Sequence, residues 1–323
     1  MNKIALIFTG GTIAMKVPSK QQGAVLGLSP REIVDTLHTL TEFDHLVPHS
    51  FADLPSPSMT PKHMVELKQV VDSYLERADF AGAVIVHGTD TLEETAFFLD
   101  VTAASPKPVV LTGAMKNASE IGYDGMTNLI SSIRVVMEPH SVGKGVLVVM
   151  NYAINAACEV MKTHTLNLDT FKSLDFGPLG IIDDEDVIYF RSQTQRKDYR
   201  FKPQIRPNVY LIKCYAGLEG HLIDYLVNEG AEGLVLEALG RGNVPPDMMP
   251  AIRQACEKGL PVVIVSRSPG GRVLDTYGYP GGGKDLVRTG CVLGGSLSGP
   301  KARILLMIAL GNHLDLEAIR QLY

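Results

Sequence analysis

Short, continuous apolar runs alternate along this chain with segments whose apolar residues recur at helical spacing. The runs predicted as strands lie at 4–8, 83–86, 109–111, 145–150, 209–214, 233–238 and 261–265. The segments predicted as helices lie at 30–37, 60–75, 91–99, 126–138, 219–229, 247–258, 300–310 and 315–322. Apolar runs without polar alternation are typical of strands buried on both faces. The pattern therefore predicts an α/β protein with parallel sheets covered by helices.

Two of the helices carry a start signal in the sequence. Residues 29–32 (SPRE) and 91–94 (TLEE) each fit a capping box, in which a Ser or Thr and a Glu three residues later bond to each other's backbone N–H groups. Pro30 and Pro61 stand at the first helical position, where proline is favoured.

The alternation of strands and helices falls into two blocks. Between them lies a polar stretch at 191–208 that includes Pro203 and Pro207, and we interpret it as an interdomain linker. We predict an N-terminal α/β catalytic domain over 1–190, with a larger three-layer arrangement around a parallel sheet. A smaller C-terminal α/β domain is predicted over 209–323.

Composition and charge narrow the class of protein. The 323 residues are 45% hydrophobic, and 35 acidic against 30 basic side chains give a net charge of −5. This balance, without a recognisable binding motif, argues against a nucleic-acid partner. The glycine-rich segments 281–283 and 294–300 lack the spacing of a phosphate-binding loop, so we predict loops or turns there.

The sequence also allows predictions about the protein's cellular location and about metal binding. The first apolar run is too short for a signal peptide, and no run approaches the roughly 20 apolar residues of a membrane span. We therefore expect a cytoplasmic protein without membrane association. The four cysteines, at 158, 214, 256 and 291, form no C-x-x-C pair, which predicts unbridged buried thiols and no metal site.

Two strand ends carry the residues best suited to chemistry. Residues 9–14 (TGGTIA) and 87–91 (HGTDT) follow two predicted strands, and open α/β sheets bind ligands outside the carboxyl ends of strands. A single threonine there usually caps or turns the chain. Two such motifs favour a small-molecule site in which Thr12, Thr89 and Asp90 take part. A threonine hydroxyl needs a base or a polarising group to become a nucleophile, and no lysine is singled out by spacing.

Residues 9–14 and 87–96 (HGTDTLEETA) together resemble the two signature motifs of bacterial-type L-asparaginases. Further segments that resemble the family lie at 109–115, 145–151, 160–163, 170–173, 177–180 and 299–303. The resemblance covers nearly the whole chain in order. It implies an amidohydrolase that converts L-asparagine to L-aspartate and ammonia without cofactor or metal.

The resemblance also implies a role for each matched catalytic residue. Thr12 would be the nucleophile that attacks the side-chain amide carbon of the substrate. Thr89, Asp90 and Lys162 would form a second hydroxyl–carboxylate–lysine group. In that group Lys162 would lower the pKa of the hydroxyl or accept its proton, and Asp90 would also bind the α-ammonium group.

Substrate-binding roles are implied in the same way. Ser56 would hold the α-carboxylate, and the Ala114 carbonyl would lie near the leaving amide nitrogen. Gly11 and Gly88 would let the substrate approach the backbone. Asn243 is matched to an asparagine that a neighbouring subunit donates, which implies a homodimer or homotetramer with sites shared between subunits.

The chain departs from the family pattern at three places. The family often has a tyrosine in the mobile loop after the first motif, but residues 15–28 contain none, so another residue replaces it or the hydroxyl is activated differently. Pro57 stands where the family has Gln. No acidic match is found around 277–281, where Tyr277 and Tyr279 either approach the partner's site or pack in a loop. We predict 15–28 as a lid over the nucleophile, the alternative being an ordinary ordered loop.

Several alternatives stay open at this stage. An acyl-enzyme on Thr12 is the predicted mechanism, and direct attack by an activated water is the alternative. The rival functions are a glutamine-preferring amidohydrolase, the amidase subunit of a tRNA-dependent amidotransferase, and a non-catalytic amino-acid sensor. A sensor needs groups that bind the ammonium and the carboxylate of an amino acid, but it does not need two hydroxyls and a lysine. The presence of Thr12, Thr89 and Lys162 together with Asp90 therefore argues against the sensor. The sequence leaves open the asparagine-to-glutamine preference, the choice between dimer and tetramer, and an allosteric site.

Overall fold

The computed structural model describes residues 2–16, 25–26, 29–40, 43, 45–193, 197 and 199–323. The chain divides into two compact units, Met1–Arg200 and Phe201–Tyr323. The predicted fold class is confirmed, because both units are α/β and each is built around its own sheet. The domain bounds 1–190 and 209–323 and the linker 191–208 stay predictions, and residues 194–196 and 198 of that linker lie outside the described residues.

The first unit contains twelve strands and four helices in its described part. Its strands are β1 (Lys3–Phe8), β2 (Met15–Lys16), β3 (Val25–Leu26), β4 (Leu46–Ser50), β5 (Phe80–Val86), β6 (Val109–Thr112), β7 (Val146–Met150), β8 (Ala153–Ala156), β9 (Met161–Lys162), β10 (Phe171–Lys172), β11 (Gly180–Asp183) and β12 (Asp186–Tyr189). Its helices are α1 (Pro30–Leu40), α2 (Pro61–Leu75), α3 (Leu92–Val101) and α4 (Gly125–Met137).

The main sheet of this unit has eight strands in the order β12-β11-β8-β7-β6-β5-β1-β4. Strands β4, β1, β5, β6 and β7 are parallel, whereas β8, β11 and β12 join by antiparallel pairing, so the sheet is mixed. The chain continues from β1 to one side, toward β4, and from β5 to the other side, toward β6. The carboxyl ends of β1 and β5 therefore flank a topological switch point, where sheets of this kind bind ligands.

Apolar side chains on both faces hold this sheet in place. On one face Ile4, Leu6 and Phe8 of β1 belong to a buried cluster that includes residues of α1 and α4. On the other face Ala5 and Ile7 are fully buried. Burial on both faces accounts for the uninterrupted apolar run that β1 shows in the sequence.

One of the two predicted capping boxes forms. The backbone N–H of Ser29 donates to Glu32 Oε2 at 2.7 Å, and the Glu32 N–H donates to Ser29 Oγ at 3.2 Å. The box predicted at 91–94 is wrong, because the Thr91 hydroxyl donates to the Ser56 carbonyl at 2.8 Å instead of capping α3.

The second unit has a four-stranded parallel sheet in the order β13-β14-β15-β16. Its strands are β13 (Val209–Lys213), β14 (Gly233–Ala238), β15 (Val262–Ser266) and β16 (Val292–Leu293). Its helices are α5 (His221–Asn228), α6 (Met249–Glu257), α7 (Gly283–Thr289), α8 (Gly299–Gly311) and α9 (Leu316–Leu322). None of the helices in the described part of the chain combines the length and apolar character needed to cross a membrane.

Three sequence predictions need correction: two loops in this unit and the burial of two cysteines. Helix α7 begins at Gly283, inside a segment predicted as a loop. A Cβ at that position would lie 2.5 Å from the Leu274 carbonyl oxygen, so close packing rather than loop flexibility requires the glycine. The loop predicted at 294–300 ends at Ser298, because α8 starts at Gly299. Of the cysteines predicted as buried, Cys158 and Cys256 are only half-buried.

Candidate active site

The two glycine turns after β1 and β5 lie in direct contact. Phe8 and Val86, the last residues of the two strands, are partners in the parallel register. A Cβ at Gly11 would lie only 2.5 Å from the backbone nitrogen and Cα of Gly88, and Gly11 has a φ of +91°. Only glycine permits this approach. The structure thus brings the turn that contains Thr12 against the turn that precedes Thr89.

Lys162 joins Thr89 and Asp90 in one group of contacts. Its ammonium nitrogen donates to Thr89 Oγ1 at 2.9 Å and to Asp90 Oδ1 at 2.6 Å. Thr89 is buried, while the Asp90 side chain is 58% exposed, so one carboxylate oxygen stays accessible to a ligand. An ammonium group beside a hydroxyl oxygen favours the deprotonated hydroxyl. The group is able to activate a nucleophile and to bind a cation.

A small hairpin and a helix position Lys162. Strands β9 and β10 pair antiparallel, with Lys162 opposite Phe171. The Lys162 backbone N–H donates to Glu93 Oε2 at 2.6 Å, and Glu93 lies in the first turn of α3. Glu93 belongs to the second sequence motif, but the sequence analysis gave it no role, because its partner is far away along the chain.

Ser56 lies directly against the turn that follows β5. Its hydroxyl accepts a hydrogen bond from the Asp90 backbone N–H at 3.1 Å, and a Cβ at Gly88 would lie 2.7 Å from the Ser56 Cβ. Because the hydroxyl oxygen is the acceptor in this bond, its proton can be donated to a ligand oxygen.

His87 stabilises the same turn through hydrogen bonds of its buried ring. The sequence alone gave this residue no predicted role. The ring is fully buried, Nδ1 lies 2.7 Å from the Gly88 carbonyl oxygen, and Nε2 lies 3.0 Å from Thr95 Oγ1. Since a carbonyl only accepts, Nδ1 carries the proton and Nε2 accepts from the threonine. Burial lowers the pKa of His87 to about 4, so the ring is neutral near pH 7.

Thr12 begins the 3-10 turn Thr12–Ala14 and is half-buried. The Tyr123 hydroxyl donates to the Ile13 carbonyl at 2.8 Å, one residue after Thr12. Within the part of the chain that the structure describes, the Thr12 hydroxyl itself makes no hydrogen bond. A tyrosine thus reaches this turn from the loop after β6, although the sequence analysis looked for one only at 15–28.

The predicted lid falls mostly outside the described residues. At its base β2 and β3 pair antiparallel, with Met15 opposite Leu26. Residues 17–24 and 27–28 lie outside the described part of the chain, so the lid stays a prediction.

Ala114 is buried in the turn that follows β6. The Asn128 side chain donates to the Gly113 carbonyl at 3.0 Å and to Asp124 Oδ2 at 2.9 Å. The Met115 backbone N–H also donates to the Asp124 carboxylate, at 3.1 Å. Helix α4 and the residue before it therefore fix the backbone on both sides of Ala114.

Asn243 lies in the second unit, in a tight turn closed by two backbone bonds with Leu239 at 2.7 and 2.9 Å. Its Oδ1 atom is buried and has no hydrogen-bond partner among the described residues. Tyr277 and Tyr279 stack on each other in the same unit, with ring centroids 5.5 Å apart. No group of three or more His, Cys, Asp or Glu side chains in the described ranges is placed to hold a metal ion.

Comparison with known proteins identifies the family. The asparaginase N-terminal domain matches residues 3–195, and the glutaminase/asparaginase C-terminal domain matches residues 208–323. An L-asparaginase of Bacillus licheniformis is 38% identical over 97% of this chain and 97% of its own length. A probable periplasmic L-asparaginase of Haemophilus influenzae is 32% identical over 99% of this chain and 92% of its own. The crystal structure of a probable cytoplasmic L-asparaginase from Campylobacter jejuni has a TM-score of 0.88 and 30% identity, covering 99% of this chain and 98% of its own. The chain therefore belongs to the L-asparaginase family of enzymes.

Proposed function

We propose that this enzyme hydrolyses L-asparagine to L-aspartate and ammonia, with Thr12 as the nucleophile. The observation that carries the proposal is the contact between Gly11 and Gly88. A Cβ placed on Gly11 would lie only 2.5 Å from the backbone of Gly88. This contact puts the Thr12 turn beside the group formed by Thr89, Asp90 and Lys162, at the switch point of the sheet.

The proposed reaction has two steps. The Thr12 hydroxyl oxygen attacks the side-chain amide carbon and loses its proton, and the amide nitrogen takes up a proton and leaves as ammonia. A water molecule then attacks the resulting ester and releases L-aspartate and the threonine. Thr89, polarised by the Lys162 ammonium at 2.9 Å, moves protons in these steps. Direct attack by an activated water is the alternative.

The polar groups around the two turns suit a zwitterionic amino acid. The exposed oxygen of Asp90 would bind the α-ammonium, and the Ser56 hydroxyl would donate to the α-carboxylate. The Ala114 carbonyl would accept from the amide nitrogen, while Gly11 and Gly88 leave room for the substrate beside the backbone. L-Glutamine, which is one methylene longer, is the alternative substrate.

Ammonia release from purified protein with L-asparagine, and separately with L-glutamine, tests this function. Thr12→Ala and Thr89→Val should each lower kcat at least about 1,000-fold with the fold intact, because each removes a reacting hydroxyl. Thr39→Ala, which removes an exposed hydroxyl bonded within α1, is the matched control and should keep full activity.

Three outcomes would contradict the proposal. A near-wild-type rate in either threonine variant would exclude the two-threonine mechanism. If neither amide releases ammonia while calorimetry detects asparagine binding, the chain is a sensor of amino acids. Release from glutamine alone would establish the glutamine-preferring alternative.

We also propose that the active form is a homodimer or homotetramer in which Asn243 completes the site of a neighbouring subunit. Asn243 Oδ1 is buried without a partner, at a cost of about 1–3 kcal/mol, so a rotation of this half-buried side chain toward a donor at a neighbouring subunit's site would lower the free energy. Asn243→Ala should lower kcat/KM about 10-fold or more without changing the oligomeric state. Sedimentation of the active enzyme that shows only monomers would contradict the shared site.

We also propose a cytoplasmic location, as in the name of the Campylobacter jejuni protein, whereas the name of the Haemophilus influenzae relative gives the periplasm. Fractionation of the native host, with the protein followed by antibody beside marker enzymes of each compartment, decides between them.

A further inference from the structure

Two cysteines of the second unit are in van der Waals contact. The sulfur atoms of Cys256 and Cys291 lie 3.9 Å apart, although the residues are 35 positions apart in the chain. Cys256 lies in the last turn of α6, and Cys291 lies between α7 and β16. Neither residue belongs to the candidate active site.

The backbone at the end of α7 lies close to Cys256 and holds Cys291 in place. Gly290, with a φ of +108°, ends α7, and a Cβ there would lie 3.6 Å from the Cys256 Cβ. The Cys291 N–H donates to the Leu286 carbonyl at 3.0 Å, which fixes the second cysteine against α7. A disulfide has an S–S distance of about 2.05 Å, so closure needs a side-chain rotation and a small adjustment, not a rearrangement of helices.

The two thiols differ in exposure and charge environment. Cys291 is 3% exposed, whereas Cys256 is half-buried. The hydrogen bond from Cys291 and the Arg320 guanidinium hold the pKa of Cys256 below its ordinary value, against the effects of burial and Glu257. The same pairing and burial hold the pKa of Cys291 well above its ordinary value. Of the two thiols, Cys256 therefore loses its proton more readily, and Cys291 holds its proton more tightly.

An open crevice is lined by residues that are close to Cys256 or Cys291 in the chain. It has a volume of about 450 Å³ and lies between α6 and α7. It is lined by Arg253, Glu257, Asp285, Arg288 and Thr289, of which Glu257 directly follows Cys256 in the chain. Neither cysteine lines this crevice, but Cys256 is itself only half-buried, which leaves it partly accessible to a small oxidant from solvent.

We propose that Cys256 and Cys291 are a redox modification site that closes to an intramolecular disulfide on reaction with hydrogen peroxide. The Cys256 thiolate attacks one peroxide oxygen, the O–O bond breaks, and a sulfenic acid and hydroxide form. The Cys291 sulfur then attacks the sulfenic sulfur, and the S–O bond breaks. The hydroxyl leaves as water with the thiol proton. Two sulfurs supply the two electrons that reduce the peroxide.

The other cysteines lack these features. Cys214 is buried against the Met248 sulfur at 3.9 Å, and burial raises its pKa to about 11. Cys158 is half-buried and accepts from the Gln193 side-chain amide at 2.9 Å. We therefore expect oxidation to select the pair.

Thiol counting on the intact enzyme tests the proposal. After mild peroxide treatment and alkylation of the denatured chain, the number of reactive thiols should fall from four to two and return to four with dithiothreitol. Peptide mapping should find residues 256 and 291 in one cross-linked species. Disulfide closure should also raise the melting temperature by a few degrees, because it ties the end of α6 to the start of β16.

Three variants keep the test decisive. Cys158→Ser is the matched control and should still lose two thiols, falling from three to one. Cys256→Ser and Cys291→Ser should each lose the cross-link and the reversible fall. The proposal is overturned if four thiols persist after peroxide treatment, if oxidation stops at a sulfenic or sulfinic acid, or if the link joins two chains.

Discussion

At the scale of single residues, Lys162 supplies the positive charge in the group that it forms with Thr89 and Asp90. Its ammonium contacts Thr89 and Asp90 at 2.9 and 2.6 Å, and its side chain is only 17% exposed. A cation held between a hydroxyl and a carboxylate promotes proton transfer at the hydroxyl.

Replacing this lysine should affect chemistry more than binding. Lys162→Met should lower kcat about 100- to 1,000-fold, within the range of lost acid–base assistance, and change KM less. Steady-state ammonia release measures both constants. Lys172→Met on the facing strand is the control, because Lys172 forms only an exposed ion pair with Asp169. Equal losses in the two variants would contradict a special role for Lys162.

Tyr123 is expected to act as a positioning residue for the turn that contains Thr12, the proposed nucleophile. Tyr123→Phe leaves the Ile13 carbonyl without its donor, so kcat should fall about 10-fold and the free energy of unfolding by about 1 kcal/mol. Tyr189→Phe removes a similar half-buried hydroxyl, which bonds Ser141 at 2.6 Å. That control should lose stability but keep kcat, and an equal loss of kcat there would refute the positioning role.

The candidate site was only partly predictable from the residues themselves. Thr12, Thr89 and Asp90 follow short glycine turns at strand ends, and a strand end is recognisable locally. Lys162 and Ser56 came only from the family resemblance, since the fold, not the spacing, brings them to the turns. Tyr123 was missed because it bonds a carbonyl 110 positions away in the chain.

At the scale of elements, a strand could be predicted from the sequence when it is long and buried on both faces. The central strands β1, β5, β6 and β7 are continuous apolar runs and were predicted from them. The two-residue strands and the short antiparallel strands at one end of the sheet are too brief to show a period. The cap at Thr91 failed because the Ser56 carbonyl, 35 positions away, takes the threonine hydroxyl.

The link between α3 and β9 should govern the placement of Lys162. Glu93→Ala removes the carboxylate that accepts the Lys162 N–H at 2.6 Å, so the hairpin loses its anchor and kcat should fall about 10-fold. Glu93→Gln keeps an acceptor oxygen and should recover most of the rate. If both variants are equally impaired, the negative charge itself, rather than the anchoring, is responsible.

At the scale of the whole molecule, the neutral state of His87 makes folding depend on pH. Its pKa is about 4 when folded and 6.5, the ordinary value for histidine, when unfolded, so between these values the unfolded chain binds more protons. Its contribution to stability is thus present above about pH 6.5 and is lost as the pH falls toward 4.

Denaturant unfolding at several pH values tests this dependence. Between pH 7 and pH 5 the wild type should lose about 2 kcal/mol through this residue. His87→Gln stays neutral throughout and should lose correspondingly less over the same interval. Identical pH dependence in the two proteins would show that the ring takes up its proton as readily in the folded state as in the unfolded one, which contradicts the prediction.

The contact between Gly11 and Gly88 limits how this enzyme can evolve. A methyl group at either position meets neighbouring groups under 3 Å away, and at Gly11 the obstacle is backbone. A clash with a side chain can be relieved by a second mutation that trims it, but a backbone offers nothing to trim. Directed evolution of substrate preference should therefore find its accepted changes in the surrounding side chains, with Gly11 unchanged in every active descendant.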